Sequence, residues 1–180
     1  MDPAHERNNV LAMLQAATDQ MEESRDGRLV PPEGISFGYA IRGARDAGGI
    51  AVVTGGIKTH AEGAVRAGPC AFGTEEPIVR IILTLMKFNP VMRCAAILQF
   101  SDRALTVFKK DLFLECASQK SVPADQGISS MDWGIAFCCE DDLPDVIFRK
   151  GDSDAGSRII VLGEMPVDVT NNIIICSNRF

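Results

Sequence analysis

Histidine is almost missing from this chain: His5 and His60 are the two copies in 180 residues. A His-rich zinc site cannot be built from them, and no metal ligand set is expected. Ser-His-Asp or Cys-His catalysis would have to use His60, because His5 falls in the N-terminal tail. Cys70, Cys94, Cys116, Cys138, Cys139 and Cys176 include no Cys-x-x-Cys pair. Several lie in or beside apolar runs, where cysteine behaves as a small buried hydrophobe. That usage fits a reducing compartment, and a cytoplasmic protein is expected. No apolar run approaches the ~20 residues of a membrane span. The first seven residues lack the apolar core of a signal peptide, so no membrane partner is expected. Positive charge is short as well, with 18 Lys and Arg against 24 Asp and Glu, a net charge of -6. An acidic surface repels a phosphate backbone, which disfavours a nucleic-acid partner. A local basic pocket for one small phosphorylated metabolite is not excluded by this balance. The Walker spacing is absent, as are internal repeats and low-complexity segments.

What is present describes a globular domain. Apolar residues make up 46% and charged residues 23% of the chain. At this length ~70% of the unfolded surface is typically buried. A single domain over 1–180 is expected, with an N-terminal helix at about 8–23 and a core at about 33–176. Val10, Leu11, Leu14, Ala17 and Met21 share one helical face, with Asn8 or Asn9 as cap. Ile35–Ile41 and Gly49–Thr54 read as strands. Glu75–Phe88 is the clearest helix, with a stripe of Ile78, Ile81, Ile82, Leu85 and Met86, and with Arg80, Thr84 and Lys87 on another face. Ala95–Phe100 reads as a buried strand, and Ser101 caps a helix to about Asp111. Phe113–Ala117, Asp145–Arg149 and Arg158–Leu162 read as strands. Ser130 or Asp132 caps a helix through Trp133. Pro166 opens a last helix, Val167–Ile175. This order predicts an α/β fold, a mixed sheet with helices on both faces. The apolar run Ile173-Ile174-Ile175 is either core or interface, so a homodimer is one outcome of the reading.

Several constellations carry candidate chemistry. Thr54-Gly55-Gly56-Ile57-Lys58-Thr59-His60 follows a strand, and a Gly-Gly turn there either aims amides and Lys58 at a phosphate or simply meets a need for positive φ. Glu75 and Glu76 sit where a helix N-terminus would attract an anion; they read as capping carboxylates and argue against phosphate there. Arg80 and Lys87 are seven residues apart on one helix face, and with Arg93 they form either a cationic wall or a solvated face. Gly151-Asp152-Ser153-Asp154-Ala155-Gly156 is a bend whose carboxylates either cap a turn or hold Mg²⁺. Trp133 stacks on a planar ligand or packs in the core.

The ordered set of motifs resembles the archaeal-type thiamine-phosphate synthase domain, ThiN. The matching residues are Phe72-Gly73, Arg80, Leu83-Thr84-Leu85-Met86-Lys87-Phe88-Asn89-Pro90, Arg93, Ser130-Met131-Asp132-Trp133-Gly134, Pro144-Asp145-Val146-Ile147, Gly151-Asp152 and Val161-Leu162-Gly163. The resemblance implies a three-layer α/β/α fold, similar to class II aldolases of the AraD type and to the C-terminal domain of the pyrimidine kinase. It implies joining of hydroxymethylpyrimidine diphosphate to a thiazole phosphate to give thiamine monophosphate. Non-catalytic relatives carry a DNA-binding head and sense thiamine phosphates; the one amphipathic helix here is short of a helix-turn-helix. In an active domain of this type Arg80 and Lys87, with Lys58 of the Gly-Gly turn, bind phosphates, Gly151 belongs to the ligand site, Asp152 orients the pyrimidine side, and Mg²⁺ enters if catalysis survives. No catalytic residue is assigned. The missing His cluster disfavours aldolase or epimerase chemistry.

The sequence also departs from the family pattern. Pro77 stands in place of a His, after Glu75 and Glu76. Gly55-Gly56-Ile57 lacks the usual Arg. Ile97 replaces an Asn, and Asp154-Ala155-Gly156-Ser157 replaces Gly-Lys-Glu-Pro. Each change removes a polar group able to hold a phosphate, so binding without efficient catalysis is expected unless Lys58, His60 and Arg158 substitute.

Overall fold

The structure, a computed structural model, describes residues 3–24, 28–59, 65–118, 143–150 and 157–179. The helix expected near Trp133, the bend at Gly151–Gly156, and His60 lie outside the described residues.

Helix α1 runs Pro3–Ser24 and buries Val10, Leu14, Ala17, Thr18 and Met21. It starts earlier than the expected Asn8 or Asn9 cap, because Pro3 suits a first turn and Glu6 complements the helix dipole there. Thr18 joins the apolar face without cost in hydrogen bonding, since its hydroxyl donates to Leu14 O at 2.7 Å. Strands β1 (Ser36–Ala40) and β2 (Ile50–Val53) follow, joined through a 3-10 turn at Ala47–Gly49 that Asp46 caps. Then come β3 (Ile57–Thr59), β4 (Val65–Ala67) and β5 (Cys70–Phe72).

Helix α2 (Pro77–Phe88) carries Pro at its first turn and buries the whole expected stripe, with Val79 and Thr84 in addition. Thr84 was expected on the polar face. Its hydroxyl donates to Arg80 O at 2.8 Å, which satisfies the one polar atom that burial would strand. Strand β6 (Cys94–Gln99) leads to α3 (Asp102–Thr106), where Ser101 Oγ accepts from Ala104 N at 3.2 Å as expected. A π turn over Val107–Asp111 extends α3, and Phe113 leaves it at φ 54°. That left-handed exit uses up Phe113–Glu115, so β7 begins only at Cys116 and runs to Ser118. Strands β8 (Val146–Arg149) and β9 (Arg158–Gly163) precede α4 (Pro166–Asn178).

Among the described residues, one seven-stranded sheet has the order β5-β2-β1-β6-β9-β8-β7. All its pairs are antiparallel except β7 with β8. It is therefore the mixed sheet expected. Period-two alternation splits the strands between two cores. Phe37, Ala96, Leu98, Ile159 and Val161 face α1, α3 and α4. Val52, Ala95, Ile97, Ile160 and Leu162 face α2. Sheet strands buried on both faces explain why β6 and β9 read as unbroken apolar runs. The arrangement is three layers, α/β/α. A second, two-stranded sheet, β3 with β4, is tied to the first by Ile35 and Ile57, whose N–H groups donate to each other's carbonyls at 2.8 and 2.9 Å.

Candidate functional site

Where β6 ends and β9 begins, the sheet opens into a cleft of about 1130 Å³. Register builds its floor: Ser36 pairs with Ile97, and Gln99 pairs with Arg158, so all of these emerge at one sheet end. The turn Pro31–Gly34, closed by Gly34 N donating to Pro31 O at 2.8 Å, forms one wall. Gly55, Gly56 and Lys58 add the β3 side, and Glu76 with Pro77 at the start of α2 adds the opposite side.

Lys58 is exposed and Arg158 half-buried. A Cβ on Gly34 would stand 2.9 Å from Lys58 Cγ, so the glycine leaves room for the lysine stem. Burial pulls the Arg158 guanidinium below its usual pKa, and Arg149, its cross-strand neighbour, pulls the same way; Glu33 opposes both. Arg158 remains a cation at neutral pH in any case. Glu76 does not cap α2 with its side chain. Its Oε2 instead accepts from the Thr74 hydroxyl at 3.4 Å, so the expected capping role gives way to a place in the cleft wall.

Of Lys58, Arg80 and Lys87, Lys58 alone lines this cleft, where it is joined by Arg158, expected only as a substitute. Arg80 is exposed on α2, one turn past Glu76, and is not part of the cleft lining. Lys87 is exposed a further two turns away, ~10 Å along the helix axis, and faces no part of the cleft lining. Gly151 and Asp152 lie outside the described residues. Arg93 belongs to a different structure altogether. Its guanidinium donates to Tyr39 Oη at 2.9 Å and Ala40 O at 3.0 Å, lies over the Tyr39 ring at 4.9 Å, and reaches Glu6 at 3.9 Å. It therefore fastens α1 to β1 and shares no wall with Arg80 and Lys87. The Gly-Gly turn is also not an anion nest: Gly56 N donates to Val53 O at 2.9 Å and closes the turn.

Glu33, Ser36 and Gln99 line the cleft without any local signal for it: strand register places Ser36 and Gln99, and the Pro31–Gly34 turn places Glu33. Gly34-Ile35-Ser36-Phe37-Gly38 even spells the Gly-x-Ser-x-Gly elbow pattern. Ser36 opens β1, however, and β2 follows rather than a helix, so the sharp strand-to-helix turn of an elbow is missing. Among the described residues no three His, Cys, Asp or Glu side chains gather as a metal site. No described helix is long and apolar enough to cross a membrane.

The family model for thiamine-phosphate synthase ThiN matches residues 13–175. The chain belongs to the ThiN family. It is 28% identical over 148 residues to the bifunctional thiamine biosynthesis protein ThiDN of Methanocaldococcus jannaschii, covering 81% of this chain and 35% of that protein. It thus spans about a third of that relative. The crystal structure of the C-terminal domain of protein MJ0236 superposes with a TM-score of 0.84 at 25% identity, covering 95% of this chain and 94% of the other. The C-terminal domain of phosphomethylpyrimidine kinase gives 0.83 at 26% identity, covering 95% and 100%. L-Fuculose-1-phosphate aldolase from Thermus thermophilus, at 0.51 and 12% identity over 93% and 90%, shares the fold alone. The expected ThiN identity and its aldolase-like three-layer fold are both borne out.

Proposed function

We propose that the cleft of this ThiN chain binds a phosphorylated thiamine, or its pyrimidine and thiazole phosphate precursors. It joins the precursors far more slowly than a ThiN domain with the full family pattern. One observation supports this above others. Pro77, Gly55-Gly56, Ile97 and Ser157, at which the sequence departs from that pattern, all line the same cleft. Joining requires the thiazole nitrogen to bond to the pyrimidine methylene carbon while the C–O bond to pyrophosphate breaks. Positive potential must stabilise the departing pyrophosphate, and losing one such group commonly costs ~10²–10³ in rate. Ile97 and Pro77 offer no side-chain donor there. Among the described residues, Lys58 and Arg158 supply the cleft's positive charge. A Mg²⁺ that came with a diphosphate would find Glu33 and Glu76 as the carboxylates of the wall.

The test is incubation of the purified protein with hydroxymethylpyrimidine diphosphate and hydroxyethylthiazole phosphate, assayed for thiamine monophosphate, beside calorimetric titration with thiamine monophosphate itself. Slow turnover is expected. Lys58→Ala and Arg158→Ala should each weaken binding at least ~10-fold, as loss of a charge-assisted contact does. Lys87→Ala should leave affinity unchanged. Intact affinity in both cleft variants would overturn the assignment. Binding without any turnover would select the second reading, a thiamine-phosphate sensor with no chemistry, which the same departures favour.

A further inference from the structure

Among the described residues, the charges of the cleft cancel. Lys58 and Arg158 contribute two cations to its lining, and Glu33 and Glu76 contribute two carboxylates. A purely anionic ligand would meet both signs at once, and much of what the cations contribute would be lost to the carboxylates. The carboxylates are not spent on the cleft's own helix: Glu76 makes no side-chain cap to α2. Glu33 lies near enough to Arg158 for its field to act on that guanidinium. No aromatic ring among the described residues lines the cleft, so a planar cation would find no π face from them and must be met by carboxylate.

Resting on the phosphate role proposed above for Lys58 and Arg158, we infer that Glu33 and Glu76 are specificity-determining residues. They make the cleft select zwitterionic phosphate esters, in which a quaternary ring nitrogen and a phosphoryl group share one small molecule, over phosphates whose ring is neutral. Thiamine monophosphate carries such a nitrogen in its thiazolium ring; the thiazole phosphate precursor does not. The cleft therefore holds the joined product more tightly than the thiazole half, a bias that suits retention or sensing better than turnover.

A matched ligand pair isolates the charge. Hydroxyethylthiazole phosphate and its N-methylthiazolium derivative differ by one methyl group and one positive charge. Calorimetry with the full chain should find the N-methyl compound bound about tenfold more tightly by wild type. In the Glu33→Gln, Glu76→Gln double variant that ratio should fall to about twofold, with the neutral-ring phosphate now bound more tightly than by wild type. Melting temperatures check that the variant is folded. An unchanged ratio in a folded double variant, or no preference in wild type, overturns the inference while leaving the phosphate reading intact. Failure of wild type to bind either compound overturns both. Lys58→Ala should weaken both ligands alike and preserve their ratio; a changed ratio there would also contradict the assignment.

Discussion

At Gly56 a side chain has nowhere to go. The residue sits at φ 80°, and a Cβ would stand 2.9 Å from Ile35 O. That oxygen is held in place, because it accepts from Ile57 N at 2.9 Å in the bridge that ties β3 to the main sheet. Gly55 shares the positive φ, at 76°, but a Cβ there meets nothing within 4 Å. The pair separates two costs at adjacent positions. Gly55→Ala carries only the backbone conformational cost, about 1 kcal/mol. Gly56→Ala adds a clash that is relieved only by stretching the bridge, for a total of about 2–4 kcal/mol. Urea unfolding of both variants checks this. Equal midpoints for the two would show that the bridge yields freely and that Lys58 is less firmly placed than its position suggests. Other residues around the site divide by how much of their role is local. Lys58 follows a strand and a Gly-Gly turn, which sequence alone displays. Arg93 sits in the connection between α2 and β6, and its role as a fastener of α1 to β1 depends on long-range contacts to Glu6, Tyr39 and Ala40 that no spacing encodes.

Among elements, α2 was the most legible, because twelve residues at a 3.6 period leave one buried face and one exposed one. The same periodicity put Arg80 and Lys87 together, and correctly so as neighbours on a helix face. It could not say that only the first turn of that face borders the cleft. Strands β6 and β9 were legible as apolar runs, whereas β3 and β4, at three residues each, are too short to display an alternation, and no strand is read at either. Cleft residues Ser36 and Gln99 were hidden because register, not local pattern, brings them together, and Glu33 because the fold sets its turn beside them. How tightly α2 lies on the sheet has a direct test. A Cβ on Gly38 in β1 would stand 2.9 Å from Ile82 Cδ1, so the strand lacks a side chain where the helix is closest. Gly38→Ala should cost about 1–2 kcal/mol by overpacking, and Ile82→Val about 0.5–1.5 kcal/mol by loss of a buried methyl. Valine lacks that Cδ1, so the double variant should cost less than the sum by about 0.5 kcal/mol or more. Strict additivity in thermal or urea unfolding would mean that the helix shifts as a body instead.

Across the whole molecule the buried acids set a limit on stability at high pH. Burial pushes the thiols of Cys70, Cys94 and Cys116 and the phenol of Tyr39 above their usual pKa values. For Cys116 the rise is from 9.0 to about 11. Each group is neutral while protonated, so the folded state keeps its proton where the unfolded chain has released it. The unfolded state then binds fewer protons than the native one, and unfolding free energy falls as pH rises. This contribution is fully present below the ordinary thiol pKa of 9.0 and is lost as pH climbs toward about 11 for Cys116. Urea midpoints measured under a phosphine reductant, which keeps the thiols from oxidising, should be nearly flat from ~pH 7 to ~pH 8.5 and fall between ~pH 9 and ~pH 11. The net charge of -6 grows more negative over the same range and adds self-repulsion, so the slope alone does not identify its source. Cys116→Ala does. Cys116 is only half-buried at the sheet edge, so truncation should change stability little at pH 7 and reduce the decline between ~pH 9 and ~pH 11. A decline of the same steepness in Cys116→Ala would assign the alkaline loss to charge repulsion and the remaining buried acids, and would remove Cys116 from the account.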